Sequence, residues 1–314
     1  MRGGFGEVDS ERARSLVGKA TEQAKWLKRL TKRERVVLTL LGLLAVALVI
    51  AAAPYLPSGI DWRSTYRPAA QAVLSGKSPF SVDIYFPAPW ALIPLLPLAL
   101  LPLDVGRTTL LLASIVAFAF VAHRMGARPI SLVAFLLSPP ILHCLLNGNI
   151  ECLALLGLAL PPQIGLFLVL IKPQIGLAVA VFWAVEAWRD GGAARLARVF
   201  WPVTLVTLVS VALFGPWPLR FLEVPGLVST YNASLWPASI PVGMALLVAS
   251  IRTRNIRFAL AASPCLSPVV LLHAWSGALL AVAVSTSELV AAVVGMWVLV
   301  IMHWAAAPSS VPAP

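Results

Sequence analysis

The chain has 314 residues, 59% of them hydrophobic and only 12% charged, with a formal charge of +11. Soluble domains carry about a quarter charged residues, so this composition predicts an all-α polytopic integral membrane protein and excludes a water-soluble enzyme. No basic patch interleaves with base-stacking aromatics, and nucleic acid is therefore not an expected partner.

Residues 1–35 hold ten basic groups against five acids. Such a segment ahead of a first span reads as cytoplasmic, with Lys25, Lys28, Arg29 and Lys32 able to rest on anionic lipid headgroups. The apolar run Val36 to Leu56 exceeds a signal-peptide core and reads as a retained first helix. This divides the chain into a basic segment (1–35), a membrane domain (36–304) and a Pro/Ala/Ser tail (305–314) expected to be disordered.

With the N-terminus inside, residues 59–80, GIDWRSTYRPAAQAVLSGKSPF, fall on the extracytoplasmic side. The apolar block Trp90 to Leu103 contains Pro94, Pro97 and Pro102. It would rise only about 21 Å as a helix, short of a ~30 Å hydrocarbon core, so it reads as an outer juxtamembrane helix. Arg107 to Ala122 then runs inward, which puts His123, Arg124 and Arg128 in the cytoplasm, as the positive-inside rule requires.

Ile130 to Leu146 runs outward to Asn147-Gly148-Asn149, and Ile150 to Leu160 returns. Ile164 to Ile171 rises to Lys172-Pro173, and Gln174 to Trp188 descends to a basic loop, Arg189 to Arg198. Phe200 to Phe214 rises to an outer loop over 215–238, which carries the sequon Asn232-Ala233-Ser234. Ile240 to Ile251 descends, Phe258 to Ala262 rises to Ser263-Pro264, Leu266 to Val284 descends, and Leu289 to Trp304 follows. The result is nine to eleven membrane segments, several too short to cross alone, as expected of broken helices facing a cavity. Cys144, Cys152 and Cys265 lie in apolar runs without metal-ligand or disulfide spacing.

Most unusual polar residues collect on the outer side of this topology. DWRSTYRPAAQAVLSGKSPF followed by YFPAPWALIPLLPLALLP resembles the opening of glycosyltransferase family 87, and LLNGNIECLALLGLAL, the IKPQIGL turn and SPCLSPVVLL extend the likeness over about residues 36 to 285. That family belongs to the multi-spanning C-type glycosyltransferases and includes polyprenol-phosphate-mannose-dependent mannosyltransferases. The chain departs from many C-type enzymes in having one acid, rather than a pair, after the first span.

The resemblance implies inverting transfer of a hexose, mannose by preference, from a polyprenyl phosphate to an extracytoplasmic lipid or glycan acceptor. Asp61 is then the general base, and no cofactor or metal is expected. Arg63, Arg67 and Lys172 would meet the departing phosphate. Asn147, Asn149 and Glu151 would hold sugar hydroxyls or orient Asp61. His143 and His273 would relay a proton or donate to phosphate, while Tyr66 and Gln174 would complete the pocket.

Each assignment has a plainer counterpart. Asp61 also fits a helix N-cap; the arginines fit headgroup contact or pairing with Asp61 or Asp83; Lys172 fits snorkelling; Asn-Gly fits a simple turn; the histidines fit structural roles. Tyr66, Trp62, Trp90 and Trp236 suit sugar or isoprene stacking and an interfacial aromatic belt equally. A transporter, a lipid flippase and a catalytically silent scaffold are rival functions, although no internal repeat between halves favours the first two.

Overall fold

The computed structural model describes residues 40, 43, 44, 47–224 and 231–306. The basic segment 1–35, residues 225–230 of the long loop and residues 307–314 lie outside these. The chain divides into two units, 1–54 and 55–314. In the first, the described residues 40, 43, 44 and 47–52 are helical; much of the expected first span lies outside the described residues.

The second unit carries the rest of the chain, and all its regular elements among the described residues are helical. A π-helical turn, Trp62–Tyr66, leads into α1, Arg67–Leu74. The proline-rich block forms a 3₁₀ stretch, Pro89–Leu95, and one α turn, α2, Leu96–Ala99. Missing N–H groups keep it short, and Pro102 separates it from α3, Leu103–Arg124.

The next two helices, α4 (Pro129–Leu136) and α5 (Pro139–Asn147), meet at a 52° bend. Ser138 precedes Pro139 and is extended (φ −70°, ψ 147°), as a pre-proline residue must be, so the helix cannot run through. Then follow α6 (Glu151–Leu156), α7 (Pro162–Val169) and α8 (Pro173–Phe214). Proline at the first helical position starts α4, α5, α7 and α8, where its absent N–H costs nothing. The chain continues as α9 (Ile240–Thr253), α10 (Ile256–Cys265), α11 (Ser276–Val282) and α12 (Thr286–Ala306).

Among the described residues two helices, α3 and α8, are long and apolar enough to cross a membrane, and the bent pair α4–α5 would make a third. Several expected spans are built differently. Residues 189–198 are helical within α8, interrupted only at Gly191 and Gly192, whose φ of +60° at Gly192 breaks the ladder without a loop. Ser263 and Pro264 fall inside α10, because proline in a last turn removes a single bond.

Residues 266–271 are irregular, where a descending helix had been expected. The Asn232 side chain replaces the helical partners there: its Oδ1 accepts from Val270 N at 3.0 Å and its Nδ2 donates to the Pro268 carbonyl at 3.0 Å. Finally α12 runs two residues into the segment assigned to the tail.

Two apolar clusters hold the second unit together. The larger, around Phe118, Phe135, Leu155, Val179 and Leu260, joins α3 to α8, α10 and α11. The smaller packs Trp62, Tyr66, Tyr85, Leu92, Ile150 and Ile171 together.

Candidate functional site

The C-terminus of α5 sets the geometry. Gly148 adopts the left-handed conformation (φ 71°, ψ 38°) and Asn149 N donates to the Cys144 carbonyl at 3.0 Å, a Schellman closure. Arg107, 1% exposed, reaches across from α3 and donates through Nη2 to the carbonyls of Leu145 and Leu146, which the helix end leaves open. Gly59 lies against the same turn: a Cβ there would stand 2.8 Å from the Asn147 carbonyl oxygen. The turn is thereby wedged between the segment bearing Asp61 and α3.

This fixes Asn149 as the hub of the site. Its Oδ1 accepts from the Tyr66 hydroxyl at 2.9 Å and from Ile150 N at 2.7 Å, which determines the amide orientation. Nδ2 then donates to Asp61 Oδ2 at 2.7 Å and lies 3.1 Å from His273 Nε2. Asp61 makes no side-chain capping bond to its own helical turn, so its carboxylate is committed to Asn149 and not to an N-cap. Burial, then the nearby Asp61 and Glu151 carboxylates, push the Tyr66 phenol well above its usual range and keep it a donor.

Glu151 is fully buried. Its Oε1 lies 3.1 Å from Lys172 Nζ and 3.0 Å from His273 Nε2, and the Cys144 thiol approaches Oε2 at 3.6 Å. Lys172, 8% exposed, is extended ahead of Pro173 and so stands at the N-terminus of α8. His273 Nδ1 is 3.3 Å from His143 Nδ1, the rings stack with centroids 5.5 Å apart, and exposed His143 contacts Asn147 Nδ2. One continuous polar chain thus runs from Asn147 through both histidines to Asn149, Asp61, Glu151 and Lys172.

A cavity of about 540 Å³ opens onto this chain. Asp61, Tyr66, Asn149, Lys172 and Gln174 line one side, and Ile84, Phe86, Ile171, Leu177, Phe221, Val224, Val269 and Leu271 supply an apolar wall. Gln174 Oε1 is buried without a hydrogen-bond partner among the described residues, an acceptor left available at the cavity.

Other predicted residues lie elsewhere. Arg63 is exposed and does not line the cavity. Arg67 also lies outside it, donating to the Leu101 carbonyl at 3.3 Å and, with the Gln71 amide turned, to that side chain at 3.2 Å. It ties α1 to the proline-rich block. Trp62 is fully buried and donates to the Leu103 carbonyl, so it offers no face to a sugar. Among the described residues no group of three or more His, Cys, Asp or Glu side chains forms a metal-binding cluster.

Two features escaped the sequence reading. One is Arg107, taken as the start of a span. The other is the Glu151–Lys172 pair: each charge is flanked by apolar runs, and that shared predicament is the signal that would have joined them.

Compared with known protein families, curated proteins and solved structures, the chain matches none. Its chemistry therefore rests on the site geometry and on the motifs quoted above.

Proposed function

We propose that the chain is a polytopic membrane enzyme of the C-type glycosyltransferase kind. It transfers a hexose, mannose by preference, from a polyprenyl-phosphate sugar to an extracytoplasmic lipid or glycan acceptor. The observation that carries this reading is the single cavity joining Asp61, Lys172 and Gln174 to a broad apolar wall. A prenyl-linked sugar phosphate needs that combination of a base, a cation and apolar surface.

In this reading the acceptor hydroxyl loses its proton to Asp61 as its oxygen attacks the sugar C1 from the face opposite the phosphate. The C1–O bond breaks and the electron pair leaves on the phosphate oxygen. Asn149 holds Asp61 in place through the 2.7 Å bond, so one carboxylate oxygen is committed and the other is left for the acceptor. Lys172 and the N-terminus of α8 face the developing phosphate charge, where cation and helix dipole act together. The N-terminus lies in the cytoplasm and the cavity faces outward.

The test is turnover of polyprenyl-phospho-mannose by membranes containing the protein. Asp61→Asn, which retains the shape of the side chain, is expected to lower turnover at least about a hundredfold with expression unchanged. Turnover by the variant equal to wild type would remove Asp61 from the role of base.

A further inference from the structure

With His273 neutral, the charges at the cavity and next to it disfavour an anionic ligand. Asp61 and Lys172 line the cavity, and the fully buried Glu151, which does not line it, adds a second carboxylate beside Lys172. Lys172 is moreover engaged by Glu151 at 3.1 Å, in a setting where both groups are buried. A phosphate entering beside Lys172 would add negative charge to a centre that already carries an excess of it, and low dielectric makes that costly.

His273 is a neighbouring group able to change this balance. Its Nε2 lies between a donor, Asn149 Nδ2 at 3.1 Å, and an acceptor, Glu151 Oε1 at 3.0 Å. With the ring proton on Nδ1 facing His143, the bare Nε2 satisfies Asn149 and repels Glu151, whereas a second proton at Nε2 makes the imidazolium and pairs with Glu151. Its other nitrogen meets Nδ1 of the exposed His143 at 3.3 Å, an acceptor that favours the neutral tautomer with its proton on Nδ1 and Nε2 bare. The charged and titratable groups around His273 are Glu151, His143, Lys172 and Asp61, with Tyr66 on Asn149 and Cys144 on Glu151.

We infer that anion binding in the cavity is proton-coupled: His273 takes up one proton at Nε2, pairs with Glu151, and so releases Lys172 to the bound anion. This rests on the anionic-ligand part of the reading above and adds its regulation. The sign follows from linkage: a ligand that binds the protonated centre better binds more tightly at low pH and loses affinity as pH rises.

The experiment uses the full chain in detergent and octyl methyl phosphate, a phosphodiester whose single charge does not titrate near neutrality. Calorimetry in two buffers of different ionisation enthalpy gives the protons taken up per anion bound. Wild type is expected to take up about one, with affinity falling as pH rises by up to about tenfold per unit. Glu151→Gln removes the excess negative charge, so it is expected to bind with no linked proton and to hold at high pH the affinity wild type shows at low pH. His273→Gln is expected to lose the linked proton and bind weakly throughout.

Binding by wild type with no proton uptake and no pH dependence overturns the coupling and leaves the anionic-ligand reading standing. Retention of the linked proton by His273→Gln also overturns it. Absence of binding at every pH overturns the coupling and the anionic-ligand reading together.

Discussion

At the residue scale the site is organised by satisfaction of buried charge. Glu151 is fully enclosed, and its 3.1 Å contact with Lys172 is what makes that tolerable. Breaking a buried pair by removing one partner typically costs about 3 to 5 kcal/mol, whereas removing both is often close to neutral. Lys172→Met is therefore expected to lower thermal stability in detergent by about 3 kcal/mol, and adding Glu151→Gln to recover most of it. A double-mutant cycle of melting curves measures the difference. Additive losses would mean that the two side chains do not depend on one another. Each residue was singled out in the sequence as a charge out of place, but their pairing depends on two chain segments meeting, which single-sequence patterns do not encode.

At the element scale, helix ends carry the information. Most prolines that start helices were visible as breaks, because an absent N–H and a restricted pre-proline residue act locally. What stayed hidden depended on side chains brought from afar. The irregular stretch 266–271 follows from Asn232, and the closure of α5 follows from Arg107 in α3. Gly148 offers a direct test of that closure.

Its φ of +71° disfavours any side chain, and a Cβ would lie 2.8 Å from Trp62 Cβ. Gly76 has nearly the same φ, +72°, with open space around it. Gly76→Ala is expected to cost only the backbone strain, about 1 kcal/mol, while Gly148→Ala adds displacement of Trp62 and costs about 3 kcal/mol. Equal melting temperatures for the two variants would show that the turn is not wedged.

At the scale of the whole second unit, the polar centre and the apolar wall have different origins. Asp61, Asn149 and Lys172 come from residues that sequence reasoning had grouped on one face, and they do converge on one cavity. Arg63 and Arg67 belonged to the same group by charge and position, yet the π-helical turn and α1 direct them away from the cavity. Proximity in sequence to Asp61 was therefore a poor guide, because adjacent helical positions point in different directions.

The apolar wall was not legible at all, since its members come from four separate stretches: Ile84 and Phe86, Ile171 and Leu177, Phe221 and Val224, Val269 and Leu271. If this wall receives the isoprenoid part of a donor, narrowing it must discriminate by tail and not by sugar. Leu177 suits the test because it lines the cavity and is 48% exposed, so a larger side chain fits without repacking a core. Leu177→Trp is expected to leave melting within about 0.5 kcal/mol of wild type. It is expected to raise KM for a long-tailed polyprenyl-phospho-sugar about tenfold, with a much smaller effect on a short-tailed one and little change in kcat, the pattern of lost ground-state binding. An equal effect on both donors would place the tail somewhere other than this wall.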